Sequence, residues 1–170
     1  MKRIGLKVPS PMRLALYGIF ALSWFTGVAF FVLETFFQVE GEFGVQKHPM
    51  QNPALTIHGA SAFAMMMAFG ALLSAHVPLG WRTGRARRIG LVLIGAVSLQ
   101  VVTAWMLYYV GSYDAQKVAK WAHLIVGGAL PVVLTGHIAL ARHKKRAEAA
   151  RLADAKPKAA WKPKTTPAFA

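Results

Sequence analysis

The chain has 170 residues, 55% of them hydrophobic, and a formal net charge of +14. A water-soluble domain rarely joins so much apolar surface to so much charge, whereas a membrane protein with charged flanks does so routinely. With no cysteine, disulfides, iron–sulfur clusters, zinc–thiolate sites and thioether-linked cofactors are all excluded.

Residues 1–13 carry Lys2, Arg3, Lys7 and Arg13 and no acid. From Leu14 to Phe37 the chain is apolar, broken only by Glu34 near the far end. This exceeds the roughly 20 residues needed to cross a hydrocarbon core. A secretory signal also begins basic and turns apolar, but this run is too long for one. No small-x-small cleavage site follows Phe36-Phe37, so a retained helix is expected.

Residues 38–53 read as a polar loop with Glu40, Glu42, Lys47 and His48, where Pro49 and Pro53 discourage helix. The second span covers about 54–77 and is expected to end at Pro78 and Gly80. A short basic loop follows with Arg82, Arg85, Arg87 and Arg88. The third span covers about 89–110, with Trp105, Tyr108 and Tyr109 as an aromatic belt at its end. The fourth covers about 117–141. The basic tail, 142–170, is expected to continue that helix for a few turns, then fray at Lys156-Pro157 and be largely disordered. The expected fold is all-α, an integral membrane up-down four-helix bundle over residues 14–141.

Lys and Arg are distributed unevenly. Residues 1–13 hold 4, the Arg82–Arg88 loop 4 and the tail from Arg142 9, so 17 of the 20 lie on one side. The other two loops contribute only Lys47, Lys117 and Lys120. The positive-inside rule then puts both termini in the cytoplasm, which makes a multi-pass protein of the bacterial inner membrane. The tail's charge serves topology, with anionic lipid as a further partner. No nucleic-acid-binding fold is present to claim it.

Four histidines fall inside the apolar spans. His58 and His76 are 18 positions apart on the second span, five whole turns, so both project from one face. His123 and His137 are 14 apart on the fourth, about 40° from alignment. In an up-down bundle the second and fourth helices run the same way and sit diagonally, roughly 12–14 Å apart. His58 then faces His123 near the outer surface, and His76 faces His137 near the inner one. Intramembrane ionisable residues default to a functional reading, and imidazole is an axial ligand of haem iron. The expectation is two non-covalent b haems, each between one pair. Pro131 lies between His123 and His137 and absorbs part of the mismatch between 18 and 14. The competing reading of His76 is a residue that snorkels to the interface beside Pro78.

Other residues are weighed beside these. Gly59, Gly70, Gly127, Gly128 and Gly136, with Gly27 and Gly95, admit a flat macrocycle or simply allow close helix packing. Met65, Met66 and Met67 read as apolar packing. Gln100 and Thr103 are mid-membrane polar groups suited to a cofactor or to hydrogen bonds between helices. Arg82 and Arg88 inside and Lys120 outside are the candidate propionate partners, with Arg13, Arg85, Lys117 and Asn52 behind them. His48 reads as a surface histidine and His143 as a tail residue among Lys144, Lys145 and Arg146.

Over roughly residues 12–143 the chain resembles the membrane di-haem b-type cytochromes, a group that includes the cytochrome b subunits of formate dehydrogenases and nickel–iron hydrogenases. The resemblance rests on four spans, histidines on the second and fourth, and the 14-residue His–His spacing in the last. The pieces HPMQNPALTIHGA, the turn from His76 to Gly80-Trp81, TAWMLYY and the segment His123–Gly127–His137 are similar to a small bacterial branch of such cytochromes. The resemblance implies electron exchange with a quinone pool or a redox partner protein. In the formate dehydrogenase pattern one ligand comes from the first helix. Here that helix has no histidine, so both second-helix ligands must be His58 and His76.

The leading expectation is therefore an electron-transfer membrane subunit of a respiratory chain. It has no catalytic residue of its own, and any quinone oxidoreductase activity needs a partner subunit. The alternatives are a membrane anchor or assembly subunit without haem, or a small histidine-dependent transporter. The latter lacks intramembrane Asp, Lys or Arg and an internal repeat. No flavin, nicotinamide or phosphate-loop fingerprint is present.

Overall fold

The computed structural model describes residues 10–84 and 86–154. Four helices account for nearly all of it: α1 (Ser10–Phe36), α2 (Gln51–Thr83), α3 (Arg87–Tyr109) and α4 (Tyr113–Asp154). Each is long and apolar enough to cross a membrane. Even α3, the shortest at 23 residues, spans about 34 Å against a hydrocarbon core of about 30 Å. The first nine residues and the tail from residue 155, with the expected fraying at Lys156-Pro157, lie outside the described residues.

α1 lies along α2 and α3 lies along α4, with few close approaches between α2 and α3. The fold is thus two helical hairpins set side by side. Little of it is buried: the buried hydrophobic residues are Ala86, Ala119 at 1% and Leu130 at 8% exposure. Phe25, Phe63, Met67, Ile125 and Val132 all stand exposed on the helix surfaces. Large apolar side chains facing outward are what a hydrocarbon solvent accepts and water does not.

The connections depart from the sequence reading in four places. α2 already begins at Gln51, with Pro53 in its first turn, where the missing N–H costs no helical bond. The segment expected as a polar loop holds a β-hairpin, β1 (Val39–Gly41) paired antiparallel with β2 (Gly44–Gln46) in the register Val39↔Gln46, Glu40↔Val45 and Gly41↔Gly44. Gly44 has φ +102°, a conformation side chains resist, and it permits the tight Glu42-Phe43 turn.

α2 does not end at Pro78. It runs through that proline and stops at Gly84, whose φ of 69° is left-handed and whose N–H caps the Gly80 carbonyl at 3.1 Å. One proline removes one hydrogen bond, but the apolar turns on either side keep the helix going. The Arg87 guanidinium then closes the α2–α3 turn. Its Nε donates to the Trp81 carbonyl at 2.9 Å, and its charge lies 5.2 Å over the Trp81 ring.

α4 begins four residues before the expected Lys117. Ser112 accepts the Ala115 N–H on its hydroxyl at 3.4 Å, an N-cap, and Asp114 sits favourably in the positive first turn. Gln116 Nε2 donates to the Val110 carbonyl at 2.7 Å, which ties the start of α4 to the end of α3. At the far end α4 continues through His143 and the basic run to Asp154.

Candidate cofactor-binding site

The structure gathers the four span histidines into two facing pairs between α2 and α4. The His58 and His123 ring centroids are 6.2 Å apart with planes at 86°. Those of His76 and His137 are 6.4 Å apart with planes at 71°. The helical rise between the histidines is about 27 Å on α2 and about 21 Å on α4. Since both pairs close to nearly the same separation, α2 and α4 are not two straight parallel rods. Pro131, between His123 and His137, is where the α4 ladder loses a donor.

The first pair is hydrogen-bonded to both outer helices. His58 Nδ1 lies 2.8 Å from the Ser23 carbonyl of α1. A carbonyl only accepts, so Nδ1 carries the proton. His123 Nδ1 lies 3.0 Å from the Thr103 hydroxyl of α3. That hydroxyl also lies 2.8 Å from the Leu99 carbonyl; with its proton there it accepts from His123, whose ring is also hydrogen-bonded to the Gln100 backbone. Both neutral rings therefore keep an unprotonated Nε2. Two rings in that state have no proton to share with one another.

The spacing suits a metal. Imidazole nitrogen binds first-row metals at about 2.0–2.1 Å, and the ring centroid lies about 1.1 Å behind it. Two imidazoles on opposite sides of one ion thus have centroids about 6.2–6.4 Å apart. Among the described residues no three His, Cys, Asp or Glu side chains converge, so side chains alone do not enclose an ion. Two opposed imidazoles match a metal whose other positions are filled by a macrocycle.

α1 and α3 furnish the walls. A Cβ on Gly27 would lie 2.9 Å from His58 Cε1 and 3.0 Å from its Nδ1, so only glycine there lets the ring reach Ser23. Gly90 of α3 plays a looser part at the other pair, where a Cβ would lie 3.5 Å from His137 Cε1. Gly136 packs on Ile89, and Gly127 takes the Gln100 amide against its Cα. Gly59, Gly70, Gly95 and Gly128 have nothing within 4 Å of an added Cβ. Small size at these four serves no contact among the described residues.

The second pair is less supported. His137 Nδ1 is buried without a hydrogen-bond partner among the described residues. His76 is exposed.

Of the candidate propionate partners, Lys120 is paired with Glu34 of α1 at 2.8 Å, while Arg82 and Arg88 are exposed at the His76–His137 end. Arg13, Lys117 and Asn52 are also exposed, and Arg85 lies outside the described residues. His48 accepts the Met50 N–H on Nδ1 at 3.2 Å and serves the turn into α2. His143 is exposed on the α4 extension. Met65 is half-buried, while Met66 and Met67 face outward.

Two groups of the site carry no signal in the sequence. The Ser23 acceptor is a backbone carbonyl, which every residue has. Trp24, one residue on, donates its indole N–H to the Gly127 carbonyl at 3.2 Å. No protein-family profile, curated protein or solved structure matches the chain.

Proposed function

We propose that the protein is a membrane b-type cytochrome, an electron carrier holding two non-covalent haems, one between His58 and His123 and one between His76 and His137. The observation that carries this reading is the pair geometry: separations of 6.2 and 6.4 Å, the interval that two imidazoles keep across one metal. The outward hydrogen bond of His58 Nδ1 to the Ser23 carbonyl supports it, because it leaves that ring's Nε2 unprotonated.

Haem at each pair supplies a one-electron carrier near each membrane face. The chain does the rest. Ser23 and Thr103 orient the first pair, and Gly27 admits the His58 ring. Arg82 and Arg88 bring positive charge to the end where propionates need it. The uneven basic residues put both termini on the cytoplasmic side of a bacterial inner membrane. Electrons pass between a quinone pool and a redox partner protein, on opposite sides or in sequence.

The test is the reduced-minus-oxidised visible spectrum of the purified full-length protein with a haem assay. Two haems per chain are expected. His58→Ala or His123→Ala removes one, and His76→Ala or His137→Ala the other. Protein from freshly prepared membranes that carries no haem would sink the reading. A His76→Ala variant that keeps both haems would sink the second pairing alone.

A further inference from the structure

The two ring pairs resemble each other in separation and differ in what stands behind the rings. At the first pair both Nδ1 atoms donate outward, His58 to the Ser23 carbonyl and His123 to the Thr103 hydroxyl. Thr103 is only 3% exposed and its hydroxyl also lies 2.8 Å from the Leu99 carbonyl, so with its proton there it accepts from His123, beside the Gln100 backbone that bonds the same ring. The acceptors are fixed in direction and shielded from water.

At the second pair the corresponding support is missing. The α3 residue beside His137 is Gly90, where a Cβ would lie 3.8 Å from Nδ1. That nitrogen is buried with no partner among the described residues. His76 is exposed. α3 thus offers a hydroxyl to one α4 histidine and a bare Cα to the other. The charges add to the contrast. Lys120 and Glu34 neutralise each other at the first end, whereas Arg82 and Arg88 stand exposed at the second.

An acceptor behind Nδ1–H makes the ligating nitrogen more electron-rich, and such outer partners fix ring orientation. A more basic ligand favours ferric over ferrous iron and so lowers the reduction potential, while nearby cations raise it. We infer that Thr103 and the Ser23 carbonyl are positioning groups that make the His58–His123 centre the lower-potential and more firmly held of the two. The asymmetry is written chiefly at two α3 positions, Thr103 and Gly90. This rests on the haem reading above.

The test is a visible-monitored redox titration of the full-length protein, comparing wild type with Thr103→Val, Thr103→Ser and Gly90→Ser. Each signal is assigned to a pair by its loss in His123→Ala or His137→Ala. Thr103→Val should raise the midpoint of the first centre only, and weaken haem retention there by about 10–100-fold. A tenfold preferential loss of ferric binding reads as about 59 mV for one electron. Thr103→Ser, which keeps the hydroxyl, should stay near wild type. Gly90→Ser gives His137 an acceptor and should lower the midpoint of the second centre.

With two haems bound, a Thr103→Val midpoint that does not move, or two midpoints that move alike, would overturn the inference and leave the haem reading standing. If Thr103→Val does not accumulate, Gly90→Ser decides, and an unchanged second midpoint overturns it. Wild type without haem overturns the reading beneath it instead.

Discussion

Trp24 donates its indole N–H to the Gly127 carbonyl, the acceptor that Pro131 leaves without a helical donor. In a regular helix residue 131 would donate to residue 127, and proline has no N–H to give. In hydrocarbon no water replaces it. A side chain from α1 therefore completes the backbone of α4 and ties the two hairpins together about one turn from His123.

That bond is a testable coupling. Trp24→Phe should destabilise the protein by about 1 kcal/mol, within the range for removing one partner of a shielded bond. In a Pro131→Ala background, where the backbone again supplies the donor, the same change should cost clearly less. A double-mutant cycle on denaturant or thermal unfolding in detergent measures the difference. Equal costs in both backgrounds would mean that the indole contributes packing alone.

Gly27 sets how closely α1 approaches His58. Gly27→Ala puts a methyl 2.9 Å from His58 Cε1, closer than real contacts allow, so the ring must turn away from Ser23. On the haem reading, one haem of two should be lost or spectrally altered. Gly18→Ala, on the same helix with nothing within 4 Å, should leave the spectrum unchanged. A normal spectrum in both variants would show that the His58 ring is not held as described.

The ring planes stand at 86° in one pair and 71° in the other. Perpendicular imidazoles leave the two iron dπ orbitals nearly equal in energy, and orbital angular momentum then survives. With haem bound as proposed, ferric protein at low temperature should show strongly anisotropic low-spin electron paramagnetic resonance signals, the more extreme from the His58–His123 pair. A pair of ordinary rhombic signals from near-parallel rings would contradict this geometry.

Glu34 is the one acid within the α1 span, and Lys120 meets it at 2.8 Å with both side chains partly exposed. An exposed pair is worth little, so the double variant Glu34→Gln with Lys120→Met should cost well under about 1 kcal/mol. Lys120→Met alone should cost more, because it leaves the carboxylate unpaired beside apolar helix. Unfolding midpoints of the two variants against wild type decide.

Topology is testable directly. A fluorescent protein fused after Asp154 should mature in the cytoplasm, and alkaline phosphatase inserted at Glu42-Phe43 should be active outside. The opposite pattern would invert the orientation drawn from the basic residues.

The four helices were legible because apolar runs of this length have few other meanings. So was the grouping of histidines, since 18 residues is a whole number of turns and α2 and α4 run the same way. Helix ends were less legible. Pro78 reads as a stop, but the stop that operates is Gly84, whose left-handed conformation no neighbour reveals. Ser112-Tyr113-Asp114 does carry a helix-start signal, overshadowed by the more obvious apolar run beyond it. Thr103 stood out as polar, but its partnership with His123 depends on how α3 and α4 are rotated. The Ser23 carbonyl had no signal at all, being backbone.

Each ring pair takes one histidine from the α1–α2 hairpin and one from the α3–α4 hairpin. During synthesis, neither pair exists until the second hairpin has left the ribosome, and the pair nearer the α4 start is completed first. A chain interrupted before His123 presents two solitary imidazoles and no cofactor position. On the haem reading proposed above, loading would therefore wait for the α3–α4 hairpin, and the two hairpins made as separate polypeptides would have a shared reason to find each other.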